Sequence, residues 1–123
     1  MLLEDLYTVI DSKTTGENSF EVSVQLNKDH EIYKGHFPGN PVTPGVSMLQ
    51  IIKNSLKMHF QTKLFLSSAA NVKFLKAVNP QLDSKLIFSF SYLIEKEFIM
   101  VKNHTSLSDG TPVLKCNAKF VKI

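Results

Sequence analysis

One histidine in this chain has a context that chemistry can use. His36 lies in the run Gly35-His36-Phe37-Pro38-Gly39-Asn40-Pro41-Val42-Thr43-Pro44-Gly45-Val46. Imidazole as a class changes charge near neutral pH, so it can act as a base there. Pro38, Pro41 and Pro44 fix φ at three points and stiffen the loop. The run then enters a helix at Thr43-Pro44-Gly45, where Thr43 suits the cap and Pro44 the first turn. Gly45 is then expected at the second helical position. An N–H there has no intrahelical acceptor and lies at the positive end of the helix dipole. A base beside such a donor suits removal of a proton next to a carbonyl, with the N–H polarising, for example, a thioester carbonyl. A glycine at this place also lets two elements approach closely, and the two roles are compatible.

The remaining candidates are weaker. His30, His59 and His104 lack a comparable setting. His59 falls near the apolar arc of the helix and is expected to be packed or interfacial; His104 falls in a strand. One cysteine, Cys116, and four scattered histidines give neither an internal disulfide nor metal-ligand spacing, so no metal and no cofactor are expected. All fourteen basic residues are lysine and the net charge is +3. Bidentate base and phosphate contacts favour arginine, which speaks against nucleic acid, whereas a lysine-studded surface can meet an acidic protein. No apolar run approaches the ~18 residues of a membrane-spanning helix. The first residues also lack the basic and apolar regions of a signal peptide. The expected setting is therefore the cytoplasm, without membrane insertion.

The elements that must hold this loop can be read from periodicity. Residues 1–123 are expected to form one domain, with no repeat or linker. Met1 to Ile10 reads as a short helical or mixed start, with Leu2, Leu3, Leu6 and Ile10 apolar. Ser19 to Leu26 alternates, with Phe20, Val22, Val24 and Leu26 on one face. Residues 27–43 read as loop. Gly45, Leu49, Ile52, Leu56 and Phe60 make a helical stripe, opposite Gln50, Lys53, Asn54, Lys57 and Gln61. A strand is expected over Ala70 to Val78, before a turn at Asn79-Pro80. Leu86, Phe88, Phe90 and Tyr92 alternate in the next strand, and these aromatics serve either as core or as a tunnel lining. A turn near Glu95-Lys96 leads to a strand over Phe98 to Leu107, and Asp109-Gly110 turns the chain into a last strand through Leu114, Cys116, Ala118 and Phe120. Short turns imply an antiparallel sheet, and the one long amphipathic helix must pack on it.

The twelve residues from Gly35 to Val46 resemble the signature of bacterial 3-hydroxyacyl-[acyl-carrier-protein] dehydratases. Asp29-His30-Glu31-Ile32-Tyr33-Lys34 resembles the segment leading into that signature. Asn71-Val72-Lys73-Phe74-Leu75-Lys76-Ala77-Val78 resembles the family's strand after the central helix. The resemblance implies an α+β hotdog fold, a long antiparallel sheet wrapped around one central helix. It implies homodimers, sometimes arranged as trimers of dimers, with the site at the interface. In such a site the histidine comes from one subunit and a helix carboxylate from the other. The implied reaction takes water from a (3R)-3-hydroxyacyl thioester on the phosphopantetheine arm of acyl carrier protein and leaves the trans-2-enoyl thioester. The implied setting is fatty-acid or related lipid or polyene biosynthesis.

Carried over by residue, His36 is the base that removes the C2 proton and Gly45 the oxyanion donor. Phe37, Pro38, Gly39 and Val46 beside them are expected to contact substrate. At the position of the family's acid, fourteen past the histidine, this chain has Gln50. An amide can hold water or hydroxyl but cannot donate a proton as an acid, and loss of a general acid costs ~10²–10⁴ in rate. Asp29 and Glu31 receive no role from the resemblance. Gln50 leaves three readings: a dehydratase in which His36 handles both proton transfers or Gln50 orients a water, a subunit that pairs with a carboxylate-bearing hotdog chain, or a carrier of acyl cargo without chemistry. A hotdog thioesterase is a further alternative. Acyl length depends on which of Met48, Phe74, Phe88 and Phe90 point inward.

Overall fold

The computed structural model describes residues 5–122. Its elements run β1 (Tyr7–Gly16), β2 (Ser19–Leu26), α1 (Ile32–Gly35), α2 (Gly45–Phe60), β3 (Leu64–Phe74), β4 (Lys85–Glu95), β5 (Phe98–Leu107) and β6 (Pro112–Lys122). The strands form one antiparallel sheet in the order β1-β2-β4-β5-β6-β3, so β1 and β3 are its edges. α2 packs on one face, and this is the hotdog arrangement.

The central strands follow their side-chain alternation. Phe20, Val22, Val24 and Leu26 of β2 face the helix with Leu86, Phe88 and Phe90 of β4. Burial of side chains of this size stabilises by roughly 1.5–3 kcal/mol each. β5 and its two turns stand where alternation and turn residues place them. Lys96 turns the chain at φ 58 and Gly110 at φ 94, and Asp109 Oδ1 accepts the Thr111 N–H at 2.9 Å. Phe88 and Phe90 are core, not tunnel wall, as is Met48. The interior of β5 also carries Asn103 and Thr105. The Asn103 amide donates to the Ser89 carbonyl at 3.2 Å, and the Thr105 hydroxyl donates to Asn103 Oδ1 at 2.9 Å. Both residues are thereby satisfied in the dry face.

Four expectations change. From Tyr7 onward the expected helical or mixed start is strand: Tyr7–Gly16 is an edge strand, while Leu2 and Leu3 lie outside the described residues. The loop over 27–43 contains the single turn α1, whose Tyr33 is buried. The strand after α2 is Leu64–Phe74 rather than Ala70 to Val78, and with β1 two strands rather than one precede the helices. The buried arc of α2 is Ser47, Met48, Ile51, Ile52, Ser55 and Leu56, rotated from the expected stripe, and Leu49 and Phe60 are only half-buried. Two β-bulges or irregularities interrupt the pairing of β3 with β6. At the second, Ala70 pairs with Asn117 and Lys73 with Lys115, three steps against two, with Asn71 at φ 55.

Candidate active site

The loop that carries His36 is closed at its neck by paired bonds. The Val42 N–H donates to the His36 carbonyl at 2.9 Å, and His36 Nδ1 lies 2.9 Å from the Val42 carbonyl oxygen. Inside that neck, Phe37 and Asn40 exchange backbone bonds of 3.3 and 3.0 Å, with Gly39 at φ 75 supplying the turn. The Phe37 ring stacks on the imidazole, with centroids 4.2 Å apart. A carbonyl only accepts, so Nδ1 carries the proton and Nε2 of the neutral ring holds the free lone pair. The main chain thus sets which nitrogen can act as the base.

The helix start is anchored differently from expectation. Thr43 does not cap α2: its hydroxyl lies 3.0 Å from the Tyr33 hydroxyl, and its N–H donates to the Val78 carbonyl at 2.8 Å. Burial raises the Tyr33 pKa above that of an ordinary phenol, against a lowering by the Thr43 bond. Pro44 is the cap residue, with extended backbone, and Gly45 is the first helical residue, not the second. The Gly45 N–H donates to no backbone carbonyl among the described residues. His36, Thr43, Gly45, Val46, Met48 and Phe74 border one cleft of about 630 Å³. The imidazole and the start of α2 therefore border one space.

The other expected site residues lie elsewhere in the chain. Phe37, Pro38 and Gly39 turn to the far side of the loop and line a second hollow of about 570 Å³ with Lys28, Tyr33 and Lys34. Only Val46 of the expected contact residues borders the His36 cleft, and it is exposed. Gln50 does not border it. Five residues of helix rotate it roughly 140° from Gly45, and its Nε2 donates to Asn54 Oδ1 at 3.0 Å on the exposed side of α2. Asn54 Nδ2 in turn donates to the Tyr7 hydroxyl at 3.2 Å. A third hollow, about 580 Å³, crosses Ser91, Leu93, Met100, Lys102, Asn117 and Lys119, and no histidine or carboxylate borders it. Among the described residues no cluster could hold a metal ion, and no helix is long and apolar enough to cross a membrane. His59 stacks on Phe20 with centroids 3.8 Å apart, remote in role from the cleft.

Sequence reasoning missed three supports of the cleft: the Val42 carbonyl, the Tyr33–Thr43 pair and the Phe74 ring against Gly45. The Val42 bond had a faint signal, since a loop with prolines at 38, 41 and 44 must close on itself. The Phe74 contact joins residues far apart in the chain and had none.

Residues 12–110 match the family described as ApeI-like, the ApeI dehydratase. The chain belongs to that family. A 3-hydroxyacyl-[acyl-carrier-protein] dehydratase FabZ of Lactococcus lactis subsp. lactis (strain IL1403) is 28% identical over 112 residues, covering 85% of this chain and 73% of that protein. Among solved structures, the dehydratase heterocomplex ApeI:P from Xenorhabdus doucetiae superposes with a TM-score of 0.78 at 17% identity, over 93% of this chain and 96% of that one. A hypothetical thioesterase with coenzyme A from Streptococcus pneumoniae TIGR4 gives 0.70 at 12% identity, over 99% and 91%. These two superpositions establish the hotdog fold. Membership of the dehydratase family rests on the match over residues 12–110.

Proposed function

We propose that this ApeI-like chain supplies the base and the oxyanion donor for dehydration of a (3R)-3-hydroxyacyl thioester, carried on acyl carrier protein, to the trans-2-enoyl thioester. The observation that carries the reading is the shared cleft: His36, with Nε2 free, and the Gly45 N–H border one space. In the reaction Nε2 takes the C2 proton, and the electron pair moves toward the thioester carbonyl, whose oxygen gains charge opposite the Gly45 N–H. The pair then returns to form the C2–C3 double bond as the C3–O bond breaks. The hydroxyl leaves as water once it receives a proton.

That last proton has two sources. The imidazolium of His36 can return it, or a carboxylic acid on a partner chain can give it. Gln50 has no acidic proton, and it lies outside its own chain's cleft, on the exposed side of α2 with its Nε2 donating to Asn54. These facts favour pairing with a second hotdog chain that bears the carboxylate, in which His36 completes a mixed site. A related dehydratase structure is itself a heterocomplex. The deciding experiment incubates a 3-hydroxyacyl carrier-protein thioester with this chain alone and with a carboxylate-bearing hotdog partner, following the enoyl product. Faster turnover by the pair supports the mixed site, and equal turnover by the chain alone supports a homodimer. No enoyl product in either case sinks the dehydration reading.

A further inference from the structure

The reading above uses His36 and Gly45 but leaves aside Phe74, which borders the same cleft. Phe74 is the last residue of β3 and is 51% exposed. The tip of its ring points at the helix start: a Cβ added to Gly45 would stand 2.7 Å from Phe74 Cζ and 2.8 Å from Cε1. The ring thus occupies the room that a side chain at position 45 would need, beside the amide that opens α2. The backbone holds it there. Past the bend at the extra residue Asn71, Phe74 pairs with Leu114 of β6. Just beyond the ring, the Leu75 N–H donates to the Val113 carbonyl at 2.7 Å.

We propose that Phe74 is a positioning residue for the acyl thioester, forming the wall of the cleft at the Gly45 amide so that the carbonyl enters between the ring and His36. This deepens the dehydratase reading and rests on it. Two physical effects make the ring useful there. It excludes water from the donor, which strengthens a hydrogen bond to a forming oxyanion. Its tip also presents C–H groups, the positive edge of the ring quadrupole, to the same oxygen.

The contact can be read without any substrate. Gly45→Ala should lower the thermal midpoint, and adding Phe74→Leu, which lacks the ring tip, should restore most of the loss. Phe74→Tyr puts a hydroxyl on the atom nearest the helix and should destabilise more than Phe74→Leu. Binding is then measured by calorimetry with 3-hydroxyoctanoyl-pantetheine. Phe74→Leu should weaken it about fivefold to tenfold while keeping the wild-type fold. Binding within about twofold of wild type would reduce the ring to packing and overturn the proposal, as would absence of binding to the wild-type chain. Weakened binding without any enoyl product, even with a partner, would instead sink the reaction and leave Phe74 its role.

Discussion

At the residue scale, His36 is set by its own loop. Its proton position follows from one carbonyl six residues ahead, so the imidazole needs no partner side chain to orient it. His36→Ala should therefore lower enoyl formation by ~10²–10⁴ with little change in the folding midpoint. The check is an enoyl assay beside a thermal melt. Gln50→Glu should raise turnover of the chain assembled with itself by about tenfold or more, since it restores an acid. No gain would show that position 50 does not reach a cleft of the neighbouring chain. That His36 and Gly45 border one space was legible in the sequence because they lie within ten residues of each other. The approach of Phe74 to Gly45 was not, because it depends on where a later strand ends.

At the element scale, legibility followed burial. β2, β4 and β5 have one wet and one dry face, so their alternation shows in the residues. β1 and β3 are edge strands, exposed along nearly their whole length, and carry no such rhythm. That is why the first was missed and the second was misplaced toward Val78. Thr43 failed as a cap because Tyr33 holds its hydroxyl. α2 ends with His59 stacked on Phe20, and burial lowers the His59 pKa. The unfolded chain then binds a proton more readily than the folded one. Stability from this site is complete above the unfolded value near 6.5 and falls as pH drops through it toward the lower folded value. Urea midpoints should fall from pH 7.5 to 5.5 in the wild type, and fall less in His59→Phe, which keeps the stack.

At the scale of the whole molecule, β3 is one of two exposed flanks. It pairs with β6 on one side only, and Phe65 and Leu66 stand 62% and 52% exposed. An open strand edge with apolar side chains invites another chain. A second hotdog subunit set there would cover those residues, which fits the expectation of a site shared between two chains. Phe65→Lys with Leu66→Lys should shift the protein toward monomer in light scattering. Because His36 and Gly45 are not touched, any loss of turnover in that variant would report the need for a neighbour. Retained turnover by a monomer would locate the whole reaction in one chain.

The unmatched residue at Asn71 carries one more consequence. Removing it would give β3 and β6 equal steps with Phe74 still opposite Leu114, so the ring would keep its face while the strand lost its local bend. The shape of the cleft is therefore encoded partly in a count of residues and not only in their kinds. A one-residue deletion, several positions from any group that touches substrate, could change which thioesters fit while leaving every lining residue as it is. A folded Asn71 deletion should lessen the rescue of Gly45→Ala by Phe74→Leu, because without the bend the ring tip would no longer approach position 45 as closely. Within such a family, gaps in β3 would then mark changes of cargo that substitutions alone do not reveal.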